Sequence, residues 1–233
     1  MRVYEAIGGW LLAELQREGF RWDTAAARYR DNRTGRFVAE QTIKNTFIEL
    51  GEGTNSFAGY SQRNMTNITQ RYLDGRIDLR GWQKAMRNEI KDSHIVSATA
   101  GRGGRNAMTQ ADWGRTGARL RQQYGYLDNL AWERYNGTVS DAQMMNRAKM
   151  YAGNNRTAYF DGKTAAMKAS EMTEERRVLN PAEHCADCIA YAGLGWQPIG
   201  TLPEPGQGSA CLSNCKCNKE FRSGQGTNGQ TEA

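Results

Sequence analysis

All five cysteines of this 233-residue chain lie in its last quarter, at Cys185, Cys188, Cys211, Cys215 and Cys217, and nothing else limits the fold as much. The order is His184-Cys185-Ala186-Asp187-Cys188, a Gly- and Pro-rich stretch, then Cys211-Leu212-Ser213-Asn214-Cys215-Lys216-Cys217. Two thiol-bearing knuckles facing each other across a loop offer the donors that a tetrahedral zinc ion requires. Four ligands suffice, so one or more of the five cysteines and His184 is spare. Cys185, Cys188 and Cys215 come first, and Cys211 completes the set more readily than Cys217, because an i, i+2 pair is hard to bring onto one ion. Disulfides would need an oxidising compartment, and Met1-Arg2-Val3-Tyr4-Glu5 lacks the charged start and apolar core of a secretory signal. A redox Cys-x-x-Cys is expected beside a strand-helix-strand unit, which nothing before Cys185 resembles. Disulfides, redox pairing and free thiols stay open beside zinc.

The chain changes character where the cysteines begin. Its 4 prolines all fall between Pro181 and Pro205, and the preceding residues carry the period of amphipathic helices. Tyr4, Ile7, Leu11, Leu12 and Leu15 mark one apolar face, and Tyr124, Leu127, Leu130, Ala131 and Tyr135 another. This patterning predicts helices near 3–18, 22–31, 38–50, 58–74, 79–98, 110–136 and 141–168. The fold class is therefore mainly α: a multi-helix body over 1–178, a small zinc-knuckle-like, loop-rich module over 179–222 with room for a short β-hairpin, and a disordered tail over 223–233. The tail composition, Gly with polar residues, supports that last assignment.

Helix starts are written into three segments. In Gly75-Arg76-Ile77-Asp78 and again in Gly137-Thr138-Val139-Ser140, Gly suits the end of the preceding helix, a β-branched residue follows, and Asp78 or Ser140 caps the next. Trp82 and Met144 then fall at the fourth helical position, where each can staple back onto Ile77 or Val139. Ser140 with Gln143 makes a capping box. Recurrence of a common local device accounts for the likeness, as does duplication of a helical pair. Thr109 and Asp112 form a third start signal.

A net charge of +6 permits contact with a polyanion without requiring it. From 102 to 121, Arg102, Arg105, Arg115, Arg119 and Arg121 stand against one acid, Asp112, forming a candidate surface for DNA phosphates or an acidic protein. Arg115 and Arg119 share a helix face and repel unless an anion lies near. The glycines of Gly101-Arg102-Gly103-Gly104 lack the Gly-Lys-Ser/Thr ending of a phosphate-binding loop. Only His94 and His184 are present, which starves multi-histidine schemes. His94 reads as a half-buried helix residue and His184 as a spare ligand or a support for one, although His184 with Cys185 could also form a nucleophile pair. Glu174 and Glu175, beside Arg176 and Arg177, read as a solvated helix end. No active site is expected, nor a small-molecule substrate. No run approaches the roughly 18 apolar residues of a membrane span.

Taken together, Cys185-x-x-Cys188, the Gly- and Pro-rich loop and the Asn214-Cys215-Lys216-Cys217 ending resemble the end of the Mu F-like phage head morphogenesis proteins. Lys216 stands where that family prefers Arg, and Leu212 where it has His, with neighbouring Cys211 as the substitute ligand. The likeness covers roughly the last 50 residues. Weaker similarity to phage structural proteins extends to Tyr29–Val38 and Gly101–Gly117. The resemblance implies a minor capsid protein in the virion, assembled in the host cytoplasm, that meets the portal or major capsid protein and contacts double-stranded DNA. The alternative is a zinc-dependent nucleic-acid-binding protein.

Overall fold

In the computed structural model, residues 19–23, 26, 28–38 and 57–224 are described. They are mainly helical, with a small cysteine-rich, loop-rich C-terminal region and short strands. The elements are β1 (Phe20–Asp23), β2 (Arg28–Asp31), α1 (Phe57–Leu73), α2 (Leu79–Arg102), α3 (Gln110–Tyr135), α4 (Asp141–Ala169), β3 (Glu174–Val178), α5 (Ala186–Gly193), β4 (Gln197–Pro198) and β5 (Asn218–Arg222). No helix among them is long and apolar enough to cross a membrane.

The helix expected over 22–31 is replaced by an antiparallel hairpin, with Trp22 opposite Tyr29 and Asp23 opposite Arg28. The alanines between the strands favour helix, but Phe20-Arg21-Trp22-Asp23 and Arg28-Tyr29-Arg30 alternate apolar with charged, and that period of two wins. Asp23 closes the turn, accepting the Ala26 N–H at 2.9 Å and the Arg30 Nε–H at 2.6 Å. Asp31 starts a second turn by accepting the N–H groups of Arg33 and Thr34, and Gly35 completes it at φ +68°. The helix expected near 3–18 lies outside the described residues, as does that near 38–50 apart from Val38, whose N–H bonds the Tyr29 carbonyl beside the hairpin.

The start signals act as read. Asp78 accepts the Gly81 N–H at 2.7 Å, and both capping boxes, Thr109 with Asp112 and Ser140 with Gln143, are formed. Gly75 and Gly137 each adopt φ +71°, the left-handed conformation that ends a helix. Trp82, Met144 and Val139 are buried, and Ile77 packs beside them. They join Met65, Met86, Ile90, Leu127, Leu130 and Tyr151 in one core between α1, α2, α3 and α4. The most extensive contact is between α2 and α4. Gly101 and Gly162 make it possible: a Cβ at Gly101 would run into the Tyr159 carbonyl, and one at Gly162 into that of Ala98. His94 is buried in this bundle, its Nδ1 3.0 Å from the Ile90 carbonyl oxygen.

The charged run after α4 is a strand, not a solvated helix end. β3 is the centre of an antiparallel sheet in the order β4-β3-β5, with Glu175 opposite Phe221 and Arg177 opposite Lys219. Its alternate residues Glu175 and Arg177 are buried. A boundary at 178 therefore cuts between β3 and the cysteine segment that it supports. Gly224, placed in the tail by composition, donates its N–H to Thr173 Oγ1 at 2.6 Å.

Candidate metal centre

Three chain segments converge beside α4. The first is the start of α5, where Cys185 occupies the N-cap position and Cys188 follows one turn later. The second is the turn Leu212–Asn214, flanked by Cys211 and Cys215. The third is the approach to β5, which carries Cys217. Asp187 fastens the first to the second by accepting the Ala210 N–H at 2.7 Å, and the Tyr191 hydroxyl donates to the Gly208 carbonyl at 2.6 Å. The Asn180 amide donates to the Lys216 carbonyl at 2.8 Å.

The result is a cluster of five free thiols. Cys188 sits at its centre, with Sγ 3.5 Å from Cys211 Sγ and 3.8 Å from Cys215 Sγ. Two sets have donors within 4.8 Å of one another: Cys185 with Cys188 and Cys211, and Cys188 with Cys215 and Cys217. Soft thiol donors at these separations can hold a metal ion. Cys188, Cys215 and Cys217 are buried, while Cys185 and Cys211 are half-buried. His184 does not join Cys185 as a nucleophile pair; its Nδ1 lies 3.5 Å from Cys217 Sγ.

The surroundings sort the thiols into two kinds. The Cys188 backbone amide, helped by that of Cys211, brings the Cys185 thiol down to about 7. Burial pushes Cys215 up, yet the Cys217 amide and the neighbouring thiols outweigh it, so this thiol lies below its ordinary value. Burial pushes Cys188 and Cys211 up to about 12 and raises Cys217 as well. A bound cation would overcome that burial penalty by taking all its ligands as thiolates.

Two arginines from outside the cysteine segments supply positive charge here. Arg177, on β3 and 2% exposed, places Nη1 3.8 Å from Cys215 Sγ and donates through Nη2 to the Pro203 carbonyl. Arg156, on α4, donates from Nε to the Cys217 carbonyl at 3.2 Å. Burial lowers the Arg156 guanidinium, and Cys215 and Cys217 oppose that shift. Gly153, one turn before Arg156, lets the turn at Ser213 touch α4, since a Cβ there would meet the Ser213 carbonyl. Thr157 adds a hydrogen bond to the Pro205 carbonyl at 2.9 Å.

A buried ionic knot locks the same unit from the other side. Lys219 Nζ lies 2.9 Å from Glu175 Oε2, 3.0 Å from Glu204 Oε2 and 3.0 Å from the Leu202 carbonyl. Thr164 of α4 donates to Glu204 Oε1 at 2.9 Å, tying the knot to the helical body. Burial raises the Glu204 carboxyl above its usual range. Neither the knot nor Arg156 is evident from composition. The signal lies in two distant pentapeptides, Glu-Glu-Arg-Arg-Val and Asn-Lys-Glu-Phe-Arg, whose outward positions are complementary when paired antiparallel, Glu174 with Arg222 and Arg176 with Glu220, in the register that brings Lys219 to Glu175.

The arginine segment does not form one open cationic face. Arg102 bonds Asp112 at 3.1 Å with its side chain 13% exposed, and Arg115 pairs with the other oxygen of the same carboxylate. Arg119 grips Asp161 of α4 and reaches Gln207 at 3.1 Å, which supplies the acid that the Arg115/Arg119 spacing calls for. Arg105 lies over the Trp113 ring at 5.0 Å. Arg115 and Arg121 are exposed.

Compared with protein-family models, with curated proteins and with solved structures, the chain finds no match.

Proposed function

We propose that this chain is a non-enzymatic minor head protein of the Mu F-like type. It acts in the virion through protein contacts near the portal or the inner capsid face, and its cysteine cluster is a structural zinc staple. The observation that carries this reading is the convergence of the two knuckles, 185–188 and 211–217, against α4. Those are the segments in which the chain resembles the head morphogenesis proteins. Zinc suits the site because thiol donors in a closed, protein-filled shell are the mark of structural rather than catalytic zinc. His94, the other histidine, is held inside the helical bundle.

Mass spectrometry of purified particles from the source phage or its host tests the virion assignment. The chain should be present and should co-purify with the portal or major capsid protein from procapsids. Its absence from particles and procapsids alike would remove the assignment. Zinc analysis of the reduced protein tests the staple, and a metal-free folded protein would refute it. The nucleic-acid reading gains support if the isolated protein binds duplex DNA with a steep salt dependence that Arg115→Ala and Arg121→Ala weaken.

A further inference from the structure

We propose that the cysteine cluster holds two zinc ions, with Cys188 and Cys215 as bridging thiolates, Cys185 and Cys211 completing one tetrahedron, and Cys217 and His184 completing the other. This deepens the structural-zinc reading of the same site and rests on it.

A single tetrahedral ion uses four donors and leaves a buried thiol and an imidazole beside it with no role. Each set of mutually close thiols has three members; Cys215, beside Cys188, offers the first a fourth donor, and His184, 3.5 Å from Cys217, offers the second one. The two sets of mutually close thiols share Cys188, which makes it the one sulfur common to both groups. Cys188 Sγ stands 3.5 Å from Cys211 Sγ in the first set and 3.8 Å from Cys215 Sγ in the second, so Cys215 is the thiol of the second set placed to share the bridge with Cys188. Their separation of 3.8 Å matches the edge of a tetrahedron whose metal–sulfur bonds are about 2.3 Å, which is about 3.8 Å. The sulfur–nitrogen edge, from bonds of about 2.3 and about 2.0–2.1 Å, is about 3.5–3.6 Å. Cys217 Sγ and His184 Nδ1 stand 3.5 Å apart.

His184 is also prepared for the task in a way that a spare residue need not be. Its Nε2 lies 2.7 Å from the Asn180 carbonyl oxygen. That oxygen can only accept, so Nε2 carries a proton, which in the neutral ring leaves Nδ1 with its lone pair towards Cys217. Donation of the second ring N–H to a backbone carbonyl is the usual support for a metal-bound histidine. Charge is consistent as well. Five thiolates and two divalent ions leave one net negative charge, and Arg156 and Arg177 adjoin it through Cys217 and Cys215.

The test is the metal count of the full chain, purified with zinc in reducing buffer and weighed by native mass spectrometry. Two zinc ions per chain is the expected result. One ion per chain would overturn the binuclear centre while leaving the structural staple intact, and none would overturn both. Titration with cobalt(II) alone distinguishes the donors: sulfur-to-cobalt absorption should grow through two equivalents. In Cys217→Ser and in His184→Ala it should stop after one. If either variant still takes up two equivalents, the assignment of its donor is overturned. Should a variant fail to fold, the count on the unaltered chain decides.

Discussion

Arg177 Nη1 lies 3.8 Å from Cys215 Sγ, so the side chain of a residue only 2% exposed faces a buried thiol of the cluster. Such a charge is stable inside a protein only beside a partner, and thiolates on a metal supply one. Arg177→Met should therefore weaken metal retention by about 10- to 100-fold, the usual cost of losing a group that supports a ligand. Competition against a chromophoric chelator measures it. Arg177→Lys should recover only part, because a compact ammonium cannot reach both Cys215 and the Pro203 carbonyl.

Lys219 and Glu175 should behave as an obligate pair. Both side chains are fully buried and 2.9 Å apart. Lys219→Met strands two carboxylates in the interior, and loss of one member of such a pair costs about 3–5 kcal/mol. Urea unfolding should show a loss of that size, and adding Glu175→Gln to Lys219→Met should restore part of it. An additive double variant would show that the two do not act together.

Two glycines in helices should respond to alanine with opposite signs. At Gly153 a Cβ collides with the backbone of Ser213, so Gly153→Ala should cost about 1–3 kcal/mol and loosen the cysteine unit from α4. At Gly114, on the exposed side of α3, a Cβ meets nothing within 4 Å. Gly114→Ala should stabilise by about 0.5–1 kcal/mol through helix propensity alone. Thermal melts of both variants check the pair.

The sequence carries local signals well and long-range pairing poorly. Asp78, Thr109 and Ser140 each act within a few residues of themselves, so their caps can be read directly, and so can the glycines that end the preceding helices. The cysteine knuckles are legible for the same reason: each is a short motif. Residues 22–31 mislead because a run of alanines favours helix while the partner that stabilises the alternating residues is the other arm of a hairpin. Glu175 and Arg177 mislead more strongly. A charged strand is worth burying only when Lys219, some forty positions on, lies beside it, and no single window contains both. The arginine segment is the converse case. Its positive charge is plain in the sequence, but Asp161, which takes up Arg119, belongs to another helix.

His94 should make the helical body sensitive to mild acid. Burial pushes its imidazole down to about 4 in the folded chain, with Arg119 adding to the effect against the Ile90 carbonyl. The unfolded chain has the ordinary value, about 6.5, and so binds the proton more readily between these limits. Stability is then constant above about pH 6.5 and falls as pH drops towards 4. Between pH 7 and pH 5 the loss from this group should be about 2 kcal/mol. Denaturation at the two pH values measures it, and in His94→Gln that difference should shrink.

Removal of metal should separate the cysteine unit from the rest of the protein. The helical body has its own core, from Met65 to Ala152, whereas the cysteine unit is held by the thiol cluster, the Lys219 knot and the Arg156 and Thr157 contacts. Without a cation, Cys188 and Cys211 return to neutral thiols, since burial disfavours their ionised forms, and the two knuckles lose their common anchor. Chelation under reducing conditions should expose the segment around 179–217 to limited proteolysis while the helical circular dichroism signal falls only slightly. Added zinc should restore protection. If chelation left the cleavage pattern unchanged, the packing of the Lys219 knot and the α4 contacts would be sufficient to hold the unit by themselves.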